Sequence, residues 1–128
     1  MKKLLIVLLF LTIGITNVFS NEWFNLTSIN AKSTGGNWVG WKSCNIISKL
    51  DLDNKTIQIY SSEIQIFSFD KLQCDFNNKC RSYCGYAKDN LNKLAYVIIS
   101  IYNNGDVMLN FKYPDGEYKY TAVFTEIN

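Results

Sequence analysis

The side chains of this sequence best equipped for chemistry are its four cysteines, Cys44, Cys74, Cys80 and Cys84. A thiolate acts as a nucleophile or a metal ligand, and on oxidation it supplies one half of a disulfide. Nucleophilic catalysis also needs a base beside the thiol, and the chain contains no histidine. That removes Cys-His and Ser-His-Asp constellations together with histidine-ligated zinc. A zinc site built from four thiolates pairs its ligands in Cys-x2-Cys knuckles, whereas Cys-x5-Cys-x3-Cys with Cys44 far upstream has none. Disulfides are therefore the expected use of all four, and no metal or cofactor is expected. Four cysteines allow three connectivities; the favoured one closes a loop with Cys74–Cys80 and ties two strands with Cys44–Cys84.

The remaining polar groups exclude more than they assign. Arg81 is the single arginine, so a guanidinium cluster gripping phosphate is absent. Asp51 and Asp53 flank a strand end beside Asn54, but a calcium loop needs further oxygen ligands at set spacing, and turn formation explains them better. Two carboxylates brought together by folding would suit glycoside hydrolysis, yet nothing marks any pair among the eleven acidic residues. The expectation is a protein without catalytic activity. Trp23, Trp38 and Trp41 lie close in sequence around Gly35, Gly36 and Gly40. Gathered on one face they would form a platform for stacking on sugars; strand-border packing is the plainer explanation. Tyr113, Tyr118 and Tyr120, with Tyr60, Tyr96 and Tyr102, are candidates to line a barrel mouth or an adhesive face; cross-strand aromatic pairing explains them equally well.

Residues 1–20 have the layout of a helical secretory signal peptide. Met1-Lys2-Lys3 is a basic start, Leu4 to Leu11 an apolar run, and Val18-Phe19-Ser20 a small-residue cleavage site after Ser20. Thr12, Gly14, Thr16 and Asn17 dilute the run before it reaches the ~20 apolar residues of a membrane span. The expected product is residues 21–128, one β domain, secreted or periplasmic, with no stable membrane insertion once the signal is removed. Export is also what makes disulfides the natural reading of the cysteines. Loss of Lys2 and Lys3 leaves eleven basic residues against eleven acidic, and nucleic-acid binding, which needs a basic surplus, is not expected.

Positioning of these groups falls to β-strands. From Trp38 onward apolar residues recur with period two, the pattern of half-buried strands. Asn21–Gly36 is mixed, with Trp23, Phe24 and Leu26 suited to a short edge strand or a segment laid across the core. Cys44, Ile46, Leu50 and Leu52 share one face of the next strand. Ile57 and Ile59 face inward on another, and Ile64 to Phe69 form a third. Residues 70–79 read as a loop or a poorly formed hairpin tip. Residues 94–102 are apolar on both faces and are expected to be the most central strand. Asn104-Gly105 between alternating runs marks a hairpin of type I′, and Pro114-Asp115-Gly116 a second turn. The fold class is all-β: an antiparallel barrel or two-layer sandwich of six to eight strands ending in a C-terminal meander.

Trp41-Lys42-Ser43-Cys44, Asp51-Leu52-Asp53, Ile57 to Ser61 and Gln65-Ile66-Phe67 resemble a pattern in small exported β-proteins of Bacteroidetes and their phages. The aliphatic-tyrosine strands at 107–113 and 117–123 share the resemblance, which spans about 80 residues; the cysteine-bearing stretch 71–80 departs from it. It implies a β fold and a bacterial source, and no activity. The functional expectation is a non-catalytic binding or structural domain with a protein or carbohydrate partner at the cell envelope or outside the cell. The alternative is a lipocalin-like barrel carrying an apolar small molecule.

Overall fold

A computed structural model describes residues 21–125. The expected signal peptide, residues 1–20, and its expected cleavage point after Ser20 lie outside the described residues. Nine strands and no helix make up the described chain: β1 (Asn21–Ser33), β2 (Lys42–Asp51), β3 (Thr56–Tyr60), β4 (Ile64–Phe69), β5 (Gln73–Phe76), β6 (Cys80–Lys88), β7 (Leu94–Tyr102), β8 (Asp106–Tyr113) and β9 (Gly116–Phe124). All pairings are antiparallel, in the order β4-β3-β2-β1-β9-β8-β7-β6-β5, and β4 also meets β6. That last contact closes eight strands into an up-and-down barrel, with β5 as an extra strand on β6.

The barrel is settled by β1, the strand read least well from sequence. Instead of a short edge segment it is a 13-residue strand hydrogen-bonded on both sides, to β2 and to β9. Its register slips between Leu26 and Ser28, so Thr27 is an inserted residue, a β-bulge. Because side chains alternate faces, one extra residue swaps the parity. Phe24 and Leu26 point into the barrel before the bulge; Ile29 and Ala31, opposite Tyr120 and Tyr118, point inward after it. Thr27 Oγ1 donates to Thr121 O at 3.1 Å and pairs with Thr121 Oγ1 at 2.8 Å, which fastens the bulge to β9.

The core is the barrel interior. Phe24, Leu26, Leu50, Ile57, Ile59, Phe67, Val97, Ile99, Leu109 and Phe111 are fully buried there. Ser48 is fully buried among them and donates its hydroxyl to Gln58 O at 2.8 Å, so its burial leaves no unmade hydrogen bond. In a closed barrel no strand is more central than another. β7 is correspondingly equivalent to its neighbours, with Ala95, Val97, Ile99 and Ile101 inward. The hairpin at Asn104-Gly105 forms, but Gly105 alone takes a positive φ (94°), and its N–H bonds Tyr102 O at 3.0 Å. This is a turn over 102–105 followed by a left-handed residue, not type I′. Its loop is the three residues 103–105 between the end of β7 and the start of β8.

Strand β6 is shared along one edge. Its end pairs β4 only at Ser68↔Lys88 and Phe69↔Ala87, and its beginning pairs β5 from Gln73↔Cys84 to Phe76↔Arg81. Between the two the chain steps across the inner face of β6, and a Cβ on Gly85 would stand 2.2 Å from Lys71 O. Only glycine allows that crossing. Because β6 stops at Lys88, residues 64–67 of β4 have no strand beside them on that side. The barrel wall is unsealed there.

Candidate functional site

That unsealed seam opens into a cup at one end of the barrel, about 480 Å³ in volume and open to solvent. Its walls come from every element the bulge, the seam and the C-terminal meander bring together. β1 supplies Ile29 and Ala31, β4 supplies Ile64 and Gln65, and β8 and β9 supply Tyr113, Tyr118 and Tyr120. The connections add Glu63, Asp89, Asn90, Leu91, Lys93 and Asp115 at the rim. Asn90 Nδ2 reaches over the seam to Ile64 O at 3.0 Å, a side chain standing where a strand hydrogen bond would otherwise be.

The tyrosines form a stack that climbs out of the core. Phe67 packs on Phe111 (centroids 4.6 Å apart), Phe111 on Tyr118 (4.9 Å, 19° between planes), and Tyr118 on Tyr113 (5.9 Å, 24°). Tyr120 meets Tyr118 edge-on at 5.7 Å and 88°. These offset and edge-to-face arrangements suit the ring quadrupole. The hydroxyls are anchored at the walls: Tyr113 donates to Asp89 Oδ2 at 2.8 Å, and Tyr118 to Gln65 Oε1 at 3.3 Å. Asp89 Oδ1 accepts the N–H groups of Leu91 (2.9 Å) and Lys93 (2.8 Å), so one carboxylate both shapes the β6–β7 turn and orients Tyr113.

Electrostatics follow from these bonds. Burial alone would raise the Asp89 carboxyl, but the Lys93 N–H, the Tyr113 hydroxyl and the Leu91 N–H outweigh it and hold the group below the ordinary carboxylate range. Burial, helped by Asp89, pushes Tyr113 well above the usual phenol range, and burial with Tyr113 does the same to Tyr118. Tyr120 is pushed up to about 12 by burial and by nearby Cys44. The cup therefore offers neutral phenols and, in Asp89, an ionised carboxylate at neutral pH.

The opposite end of the barrel is plugged. Arg81 Nη2 bonds Glu22 Oε1 at 2.6 Å, and Arg81 Nη1 donates to Tyr83 Oη at 3.2 Å. Asp51 there accepts from Asn54 N (3.1 Å) and Nδ2 (2.8 Å), which closes the β2–β3 turn as expected of a turn residue. Between plug and cup the interior is filled by side chains, so the barrel holds a mouth rather than an enclosed cavity.

The tryptophans do not gather. Trp23 stacks on Tyr60 (6.1 Å, 18°) beneath Lys49. Trp38 sits between Lys32 Nζ (4.8 Å) and Lys119 Nζ (4.6 Å), toward the other end of β1, roughly 25–30 Å along the strand from Trp23. Trp41 is 48% exposed. Among the described residues no ring pair joins two tryptophans, so the single three-tryptophan platform is not formed. Of the tyrosines proposed for a mouth, Tyr113, Tyr118 and Tyr120 line it. Tyr60, Tyr96 and Tyr102 stand on the outer face.

None of the four cysteines is bonded to another, and the strand faces explain why the expected pairs do not form. Cys44 is on the inner face of β2, its thiol 3.5 Å from Leu26 O, while Cys84 shares the outer face of β6 with Tyr86. A Cys44–Cys84 bridge would have to pass through the wall. Cys74 stands opposite Tyr83 and Cys80 opposite Tyr102, so the second pair is offset along β6 and on opposite faces. Among the described residues no group of three His, Cys, Asp or Glu side chains is placed to hold a metal.

Comparison of the chain with protein-family models, curated proteins and solved structures finds no significant match.

Proposed function

We propose that this protein is an exported, non-catalytic binding barrel that holds a small organic molecule in its tyrosine-walled cup. The observation that carries the reading is the cup itself. About 480 Å³ of open space lies in the range of small-molecule sites, and aliphatic and aromatic walls with a few anchored polar groups match their composition. The filled interior confines an occupant to the mouth, unlike a carrier that swallows its cargo. Asp89 spends both oxygens on the turn and on Tyr113, which suits it to shaping a site more than to attacking a substrate. The leader-like residues 1–20 support export. The outer face supports a water-surrounded barrel, since Lys49, Gln58, Asn110, Lys112 and Lys119 point away from the apolar core, the reverse of a lipid-facing band.

The test is binding of an uncharged polarity-sensitive dye, N-phenyl-1-naphthylamine, with the cup filled from either wall. Ala31→Trp and Gln65→Trp, each checked for a parent-like far-UV spectrum, are expected to abolish the fluorescence gain. Fluorescence identical in the parent and both filled variants would refute the cup as a binding site. A second reading, docking of a protein partner, is favoured by one outer strip. Ile47, Tyr60 and Ile64 lie in register across β2, β3 and β4, and Ile47 and Ile64 are 44% and 51% exposed.

A further inference from the structure

We infer that the occupant of the cup is an organic cation, an amine or quaternary ammonium group on an apolar or aromatic body. The inference rests on the reading of the cup as a ligand site and names the ligand class. Three carboxylates line the cup, Glu63, Asp89 and Asp115, against one ammonium, Lys93. Among the described residues neither Glu63 nor Asp115 is in an ion pair, the two salt bridges being Lys32–Glu117 and Arg81–Glu22. The cup thus keeps a net negative field, its one ammonium matching only one of the three carboxylates.

Of the features an anion would need, the Lys93 ammonium alone stands in the cup. The single arginine is at the other end of the barrel, held by Glu22. The turn N–H groups of Leu91 and Lys93, which could cradle a phosphate or carboxylate, already donate to Asp89. A cation meets the opposite situation. Carboxylates at the rim attract it over several ångströms, and Tyr113, the outermost ring of the stack and paired only with Tyr118, has a second, electron-rich face for a quaternary or protonated nitrogen. The phenols remain neutral, so their hydroxyls can accept a hydrogen bond from an ammonium. Ile29, Ala31 and Leu91 would cover the apolar body of such a ligand.

Two dyes of similar flat shape and opposite charge separate the ideas: thioflavin T, a monocation, and 8-anilinonaphthalene-1-sulfonate, a monoanion. Each is titrated into the purified protein at low salt, then into Ala31→Trp and into the double variant Glu63→Gln/Asp115→Asn. Thioflavin T is expected to bind at least about tenfold more tightly than the anion, and the double variant to weaken it about sevenfold, the effect of two charges some 7 Å away in water. Both are expected to shrink in half-molar salt. Equal or tighter binding of the anion, still blocked by Ala31→Trp, would overturn the cation and leave the cup standing. An unchanged thioflavin T affinity in the double variant would overturn the role of the rim charges and the inference with it. Indifference of both dyes to Ala31→Trp would remove the cup as a site altogether.

Discussion

Asp89→Asn isolates the group on which the cup depends. In the parent, one carboxylate accepts three hydrogen bonds, from Leu91 N, Lys93 N and Tyr113 Oη, all between 2.8 and 2.9 Å. An amide of the same shape can still accept the two backbone donors through its oxygen, but as a neutral acceptor. Hydrogen bonds to a charged acceptor contribute roughly 1.5–3 kcal/mol and neutral ones about 1, so each retained bond weakens by about 0.5 kcal/mol or more. The third bond must reverse, since the amide nitrogen faces a hydroxyl that was donating. Discounted for partial exposure of the turn, the expected loss is about 1–2 kcal/mol in urea denaturation at pH 7. The pH dependence is the sharper readout. A carboxyl whose folded pKa lies below its unfolded value of ~3.9 stabilises the fold fully above that value, and the contribution fades as pH falls through the folded pKa. The gap between parent and variant should therefore persist from pH 5 to 7 and narrow as pH falls below the unfolded value of ~3.9. A variant as stable as the parent at pH 7, or a gap that is the same at pH 2.5, would refute the assignment of Asp89 as an ionised anchor.

Two further outcomes test the seam and the cysteines. Gly85→Ala places a Cβ 2.2 Å from Lys71 O, so the β4–β5 crossing must move. The expected cost is roughly 2–3 kcal/mol, and a loss under about 0.5 kcal/mol in chemical denaturation would show that the crossing is not where the structure puts it. A chromogenic disulfide reagent should modify exposed Cys74 first and Cys44 last, since Cys44 faces the barrel interior and burial raises its thiol pKa. If Cys44→Ser leaves the slowest phase in place, Cys44 is not inside the wall.

Legibility in the sequence followed the range of the contacts involved. Where an element's inner face is set by local alternation, the residues announce it: Cys44, Ile46 and Leu50 on β2, Ile57 and Ile59 on β3, and Val107, Leu109 and Phe111 on β8 all face inward as their period-two spacing requires. The strand β5 has no such signal, because all four of its residues are exposed and it is held by pairing alone. The bridges expected of the cysteines failed for a related reason. Spacing along the chain says nothing of which face a distant strand presents.

The cup lies between these extremes, and β1 shows why. Phe24 and Leu26 alternate in one phase and Ile29 and Ala31 in the other, so a slip by one residue at Thr27 was present in the sequence as a break in periodicity. Read as disorder in the pattern, it made Asn21–Gly36 a mixed segment. Read as a bulge, it requires a single long strand whose two halves bury opposite parities. That strand supplies the closure between β2 and β9, and it alone turns Ile29 and Ala31 toward Tyr120 and Tyr118. The bulge is thus the local feature that puts an aliphatic wall opposite the tyrosines. Without it Asn30 and Lys32 would face inward, and a lysine side chain would take up the space that the cup keeps open. The other half of the cup was beyond reach, because the seam exists only where β6 ends at Lys88 while β4 runs on to Ile64. Two strands must be laid side by side before the difference in their lengths becomes an opening.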